Sequence, residues 1–168
     1  EFRDLSSKSC EYSFQLPPEN TLDAERVWER LRCADIDGKV MVCTFRALSS
    51  DERHDSPHVT GNEHDAGHGL LSGHAYSLIS VKQVSSEQTG ASFRFIQLRN
   101  PWGEEHEWTG PWSDQSKEWN DHPCIADKLD YGKGKRCADG LFWMHWEAFA
   151  GIVADIIVSG ASFTSIYG

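Results

Sequence analysis

The chain is 168 residues long and sets 16 Lys and Arg against 26 Asp and Glu, a formal net charge of −10. That sign argues against nucleic acid and anionic membrane surfaces as partners, because Lys and Arg supply those affinities. Hydrophobic residues at 39% and charged residues at 25% fit a folded domain rather than a disordered tail, and no apolar run approaches the ~20 residues of a membrane span.

The length suits one domain, or two small ones, with a real core. Glu1-Phe2-Arg3-Asp4 offers neither a basic nor an apolar leader segment, so no signal peptide is expected. Cys10, Cys33, Cys43, Cys124 and Cys137 are odd in number and include no C-x-x-C pair. They make a poor disulfide or zinc framework, and reduced thiols in the cytoplasm or another intracellular compartment are the expectation. Glu1 and Gly168 bring neither a start Met nor a tail, which favours part of a longer chain.

Tyr12, Phe14 and Leu16 alternate before Pro17-Pro18. From Leu22 to Cys33 the pattern predicts a helix, with Asn20 or Thr21 to cap it and Leu22, Val27 and Leu31 on its buried stripe. Lys39 to Arg46 reads as a strand covered on both faces. Residues 49–70, rich in Ser, Gly and Asp, are expected to form a long loop. Ala75, Ser77, Ile79 and Val81 mark one face of a strand, Phe93 to Arg99 a second strand, and the polar Ser85–Gly90 the turn of a β-hairpin. Trp102 to Asp139 is expected to be irregular, with Trp108, Trp112 and Trp119 pinning it. Leu141-Phe142-Trp143-Met144, a helical turn over His145–Ala150 and a strand over Ile152–Val158 complete the chain. The order predicts an α+β fold of antiparallel β-sheet flanked by a few helices.

Glu87 lies midway between His74 and Asn100 in the sequence. A symmetric hairpin would therefore set these two side by side at its open end, with Cα atoms about 4.5–5.5 Å apart. An asparagine amide oxygen accepting one imidazole N–H fixes the ring and its tautomer, leaving the other nitrogen to act on a nucleophile. The alternative is two strand-end polar residues with unrelated hydrogen bonds.

Gly73-His74-Ala75-Tyr76-Ser77-Leu78 and Arg99-Asn100-Pro101-Trp102-Gly103 resemble the histidine and asparagine motifs of the calpain family of papain-like cysteine proteases. The resemblance continues through Glu107-Trp108-Thr109-Gly110-Pro111-Trp112-Ser113-Asp114, Glu118-Trp119 and Asp139-Gly140-Leu141-Phe142-Trp143-Met144, in the family's order. It implies that residues 1–168 are one domain, the second half of a calpain-like catalytic domain. The nucleophilic cysteine and an oxyanion-hole glutamine would then lie on an upstream half. His74 would be the general base, Asn100 its orienting partner, and Trp102 the cover over their hydrogen bond. Protein substrates are implied, and the chain alone is expected to be inactive, since no cysteine here sits in the family's Cys-aromatic context. Cys43, on a predicted strand, reads as a small buried apolar residue.

The resemblance also implies calcium held by Glu107, Asp114 and Asp139, although Leu141 stands where many members carry an acid and the loop holding Glu105-His106 is one residue longer. Solvated loop charges are the alternative. A non-catalytic calpain-fold module for protein interaction or calcium binding, or a carbohydrate-binding domain built on the Trp-rich loop, remain rival functions. His64 and His68 have i, i+4 spacing, but their Gly-rich setting disfavours a helical zinc site, and a rim of the substrate cleft is the preferred role for their loop.

Overall fold

The computed structural model describes residues 10–15, 21–47, 64–87, 89–103, 106–132 and 140–162. A helix, α1, runs over Thr21–Ile36, three residues further than its sequence pattern suggests. Val27, Trp28, Leu31 and Ala34 form its buried stripe. The extension has a tertiary cause. Asp35 sits near the C-terminal end, where the helix dipole disfavours an acid, yet its carboxylate accepts the Val81 backbone N–H at 3.0 Å and the Ser80 hydroxyl at 3.3 Å. Those donors directly follow a β-bulge between Leu78 and Ser80, so the last turn is held from across the fold.

Strands β1 (Cys10–Gln15), β2 (Lys39–Phe45), β3 (His64–Gly67), β4 (Leu70–Ser72), β5 (Ala75–Ser85), β6 (Ser92–Arg99), β7 (Leu141–His145) and β8 (Val153–Ser162) form one curled sheet. Its main order is β1-β8-β2-β5-β6-β7, antiparallel throughout, with β3 and β4 attached beside β2 through a single parallel pair, Phe45 with Ser72. The expected α+β class with antiparallel sheet is what the chain adopts. Two of its expected irregular stretches are partly regular. The end of the 49–70 segment forms β3 and opens β4, because Ala66, Leu70 and Leu71 reach the core. Within the Trp-rich tail, α2 (Glu118–Asp121) and α3 (Pro123–Lys128) are short helices. The seven-residue α4 (Trp146–Ile152) leads into β8.

Period-two alternation explains why the tail orders. On β6, Ile96 and Leu98 face the main core while Phe95 faces the other side; on β7, Phe142 and Met144 face the core and Trp143 faces away. The far side is a second apolar cluster in which Phe95 meets Trp112 at 4.8 Å and Trp119 at 6.2 Å between ring centroids, joined by Trp143, Ile125 and Leu129. Trp119 stacks on Tyr131 at 3.9 Å. The Trp-rich segment thus covers the second face of β6 and β7, which is why β7 opens as the continuous apolar run Leu141–Met144.

On the first face, Arg94 of β6 forks onto Glu25 of α1 at 2.8 Å, reaches Glu147 of α4 at 3.1 Å and lies 5.4 Å over the Trp28 ring. Its pKa is raised, the hydrogen bonds to the two carboxylates outweighing its partial burial.

Phe95→Ala removes the ring shared by Trp112, Trp119 and Trp143. The expected loss is about 3–5 kcal/mol of unfolding free energy in urea, followed by far-UV circular dichroism. A loss under about 1 kcal/mol would show that the tail does not depend on this face.

Candidate active site

The site forms where β4 gives way to β5 and where β6 ends. Gly73 takes a left-handed backbone (φ 72°), turning the chain so that His74 enters β5 on the same face as the buried Tyr76 and Leu78. Asn100 follows β6. Its backbone N–H donates to the Gly140 carbonyl at 2.8 Å, and its own carbonyl accepts the Gly103 N–H at 3.2 Å. Both side chains are buried, His74 at 6% and Asn100 at 1% exposure.

His74 Nε2 and Asn100 Oδ1 are 2.9 Å apart. The backbone N–H of Trp102 donates to the same Oδ1 at 3.1 Å. A backbone N–H can only donate, so the atom receiving it is the amide oxygen, and the histidine nitrogen facing it must also donate. Nε2 therefore carries the proton, which puts the basic lone pair of neutral His74 on Nδ1. The Trp102 ring lies 4.3 Å from the imidazole, between centroids, and is 57% exposed.

The two residues meet, though not as a directly opposed pair. Ser85 faces Ser92, so the turn is centred beyond Glu87, and the bulge after Leu78 takes back only one residue of that offset. Ser77 pairs with Arg99, and continuing that register sets Asn100 level with Tyr76 rather than His74. The Asn100 side chain, rather than strand registry, closes the remaining distance.

Glu107 and Asp114 line one hollow of about 840 Å³, formed by the Trp-rich segment with His68 and Gly69. The Trp108 indole N–H donates to the Pro111 carbonyl at 2.7 Å inside this loop, and Thr109 N–H reaches the His68 carbonyl at 2.9 Å. Glu118 also lines the hollow, its carboxyl held below the ordinary range by the Ser116 hydroxyl. Asp139 lies outside the described residues, and Leu141 opens β7 with an aliphatic side chain. Among the described residues no cluster of three or more His, Cys, Asp or Glu side chains could hold a metal ion. Calcium takes six to eight oxygens, and backbone carbonyls and water count among them beside carboxylates. His64 falls on strand β3 and His68 in the following turn, so their spacing does not lie along a helix.

Among the cysteines whose side chains are described, Cys33 is exposed, Cys124 half-buried and Cys43 buried. Burial pushes the Cys43 thiol far above its ordinary range, which disfavours the thiolate a nucleophile must supply. Two residues that shape the site carry little sequence signal. Gly140 (φ 76°) sits so tightly that an added Cβ would lie 2.6 Å from the Asn100 carbonyl oxygen. Tyr76 meets the His74 ring at 90° with centroids 4.9 Å apart; its place two residues along the same strand face was the available hint.

A fixed imidazole whose basic nitrogen is Nδ1 suits hydrolases in which sulfur is the nucleophile. A family model described as "Calpain family cysteine protease" matches residues 2–159. The chain belongs to that family. It is 33% identical over 150 residues to Calpain-8 of Rattus norvegicus, an alignment covering 88% of this chain and 18% of the relative. It is 47% identical over 81 residues to the Calpain-1 catalytic subunit of Sus scrofa (48% of this chain, 10% of the relative). With Calpain-type cysteine protease DEK1 of Arabidopsis thaliana it shares 41% over 86 residues (51% and 4%). The chain thus spans less than a fifth of the length of these curated relatives.

Gly140→Ala forces a left-handed backbone on a residue with a Cβ and presses it into the Asn100 carbonyl. A destabilisation of about 1–3 kcal/mol in urea is expected, and unchanged stability would show that the Asn100 backbone has room to move. Thiol labelling of the native chain should modify Cys33 rapidly and Cys43 only on unfolding; native labelling of Cys43 at the Cys33 rate would contradict its burial.

Proposed function

We propose that residues 1–168 are the His/Asn-bearing half of a calpain-like catalytic domain, and that the nucleophilic cysteine comes from an upstream half. The single observation that carries this reading is the convergence of His74 Nε2–H and the Trp102 N–H on Asn100 Oδ1. In this reading it leaves Nδ1 of His74 as the basic atom for whatever docks across it.

In this reading Nδ1 takes the thiol proton, and the thiolate attacks the scissile carbonyl of a protein substrate. The imidazolium stays hydrogen-bonded to Asn100. It returns the proton to the leaving amine as the C–N bond breaks, giving the acyl-enzyme. His74 then takes a proton from water, whose hydroxyl adds to the thioester carbonyl, and the returned proton releases the sulfur. Trp102 shields the Nε2–Oδ1 bond from water, which would otherwise compete for it. Calcium binding, with Glu107, Asp114 and Asp139 as carboxylates, is the finer part of this reading, and no step above depends on it. An intracellular location is proposed with it, in keeping with cysteines read as reduced. No helix among the described residues is long and apolar enough to cross a membrane.

Hydrolysis of an unfolded protein substrate tests the proposal. The chain alone should show no turnover that a cysteine-protease inhibitor suppresses. The protein carrying both halves should turn over, and His74→Ala should lower its kcat by roughly 10²–10⁴-fold, the scale of a general base. Full activity of the His74→Ala protein, or inhibitor-sensitive cleavage by the chain alone, would overturn the assignment.

A further inference from the structure

His74 has two aromatic neighbours of unequal permanence. Trp102 is largely exposed, whereas Tyr76 is fully buried. Tyr76 is wedged between Phe45 at 5.1 Å and Phe142 at 6.1 Å, both in edge-on contact. Its ring therefore has a position set by the core, and it stands perpendicular to the imidazole.

The hydroxyl of Tyr76 is also committed. It accepts the Leu71 backbone N–H at 3.2 Å and donates to the His106 carbonyl at 3.1 Å. One hydroxyl proton and two lone pairs allow both bonds at once. One side chain on β5 thus touches the His74 ring and joins β4 to the start of the Trp-rich segment. His106 itself holds a left-handed backbone (φ 61°) where a non-glycine residue is uncommon.

The Asn100 bond alone is a weak lock. It fixes one ring atom, while the torsion that turns an imidazole about its Cβ–Cγ bond has broad wells. A single net hydrogen bond favours one pose over another by only severalfold to about tenfold. A rigid wall beside the ring removes the competing poses sterically.

We propose that Tyr76 is a positioning residue for His74: its ring confines the imidazole to the orientation that keeps Nε2 on Asn100, and its hydroxyl ties that orientation to the placement of His106. The catalytic meaning rests on His74 acting as the general base, but the positioning can be read without catalysis.

The test is long-range ¹H–¹⁵N correlation of the His74 imidazole in the labelled 168-residue chain at mildly alkaline pH, with His74→Gln to assign the signals and the backbone amide spectrum to report folding. The parent chain should show Nε2 protonated, Nδ1 unprotonated and slow solvent exchange of the Nε2 proton. Tyr76→Phe keeps the wall and loses the tie; the tautomer should persist while that exchange quickens roughly fivefold. Tyr76→Leu loses both and should give a mixture of tautomers. A purely structural tyrosine would lower the urea midpoint and leave the His74 signals alone. Exchange within twofold of the parent in Tyr76→Phe, the shape-conserving and deciding variant, would overturn the proposal, as would an unchanged tautomer in folded Tyr76→Leu. Failure of the protease reading would appear elsewhere, as no turnover by the two-half protein with Tyr76 intact, and leaves these spectra unaffected.

Discussion

The site depends on a carboxamide oxygen that receives two N–H donors, one from an imidazole and one from the main chain two residues on. The main-chain bond does the deciding. Because the Trp102 N–H cannot accept, Asn100 cannot flip without losing it, and the histidine has no choice of tautomer while both bonds stand. Burial strengthens the arrangement, since water is not at hand to substitute for either donor. What the surrounding fold contributes is placement: a left-handed glycine before His74, a hydrogen bond to Gly140 behind Asn100, and rings on two sides of the imidazole.

The sheet achieves this with two apolar faces. The main core gathers α1, α4 and the inner faces of β2, β5, β6, β7 and β8, while the Trp-rich segment packs on the outer face of β6 and β7. Asn100 and Gly140 sit at the matched ends of β6 and β7, so the strand pair that carries both cores also carries the asparagine. Arg94 connects α1 and α4 to the same pair from the first side. It does so by a forked contact that a lysine could not reproduce.

Much of this was legible in the sequence because period two is hard to disguise. The hairpin and the α+β class follow from alternation, and distance to a polar turn brings His74 and Asn100 to the same open end. The detailed register did not, since a bulge at Ile79 and an off-centre turn leave no mark in hydrophobicity. The extension of α1 through Asp35 and Ile36 was hidden because its stabilising donors lie on β5. The short helices after Lys117 were hidden by a composition that reads as loop. What orders them is a set of aromatic contacts with Phe95 and Trp143, which one stretch of chain cannot reveal. Glu107 and Asp114 were placed together by family resemblance rather than by any spacing rule, and both line one hollow.

The bond between the Asn100 N–H and the Gly140 carbonyl spans forty positions of chain. Closing so large a loop costs entropy before any contact compensates for it. The intervening segment must first find the outer face of β6. The hairpin can zip early from its local turn, but the amide at its end acquires its final setting only when β7 arrives. A molecule folded without that bond would hold a histidine whose guide is not yet set.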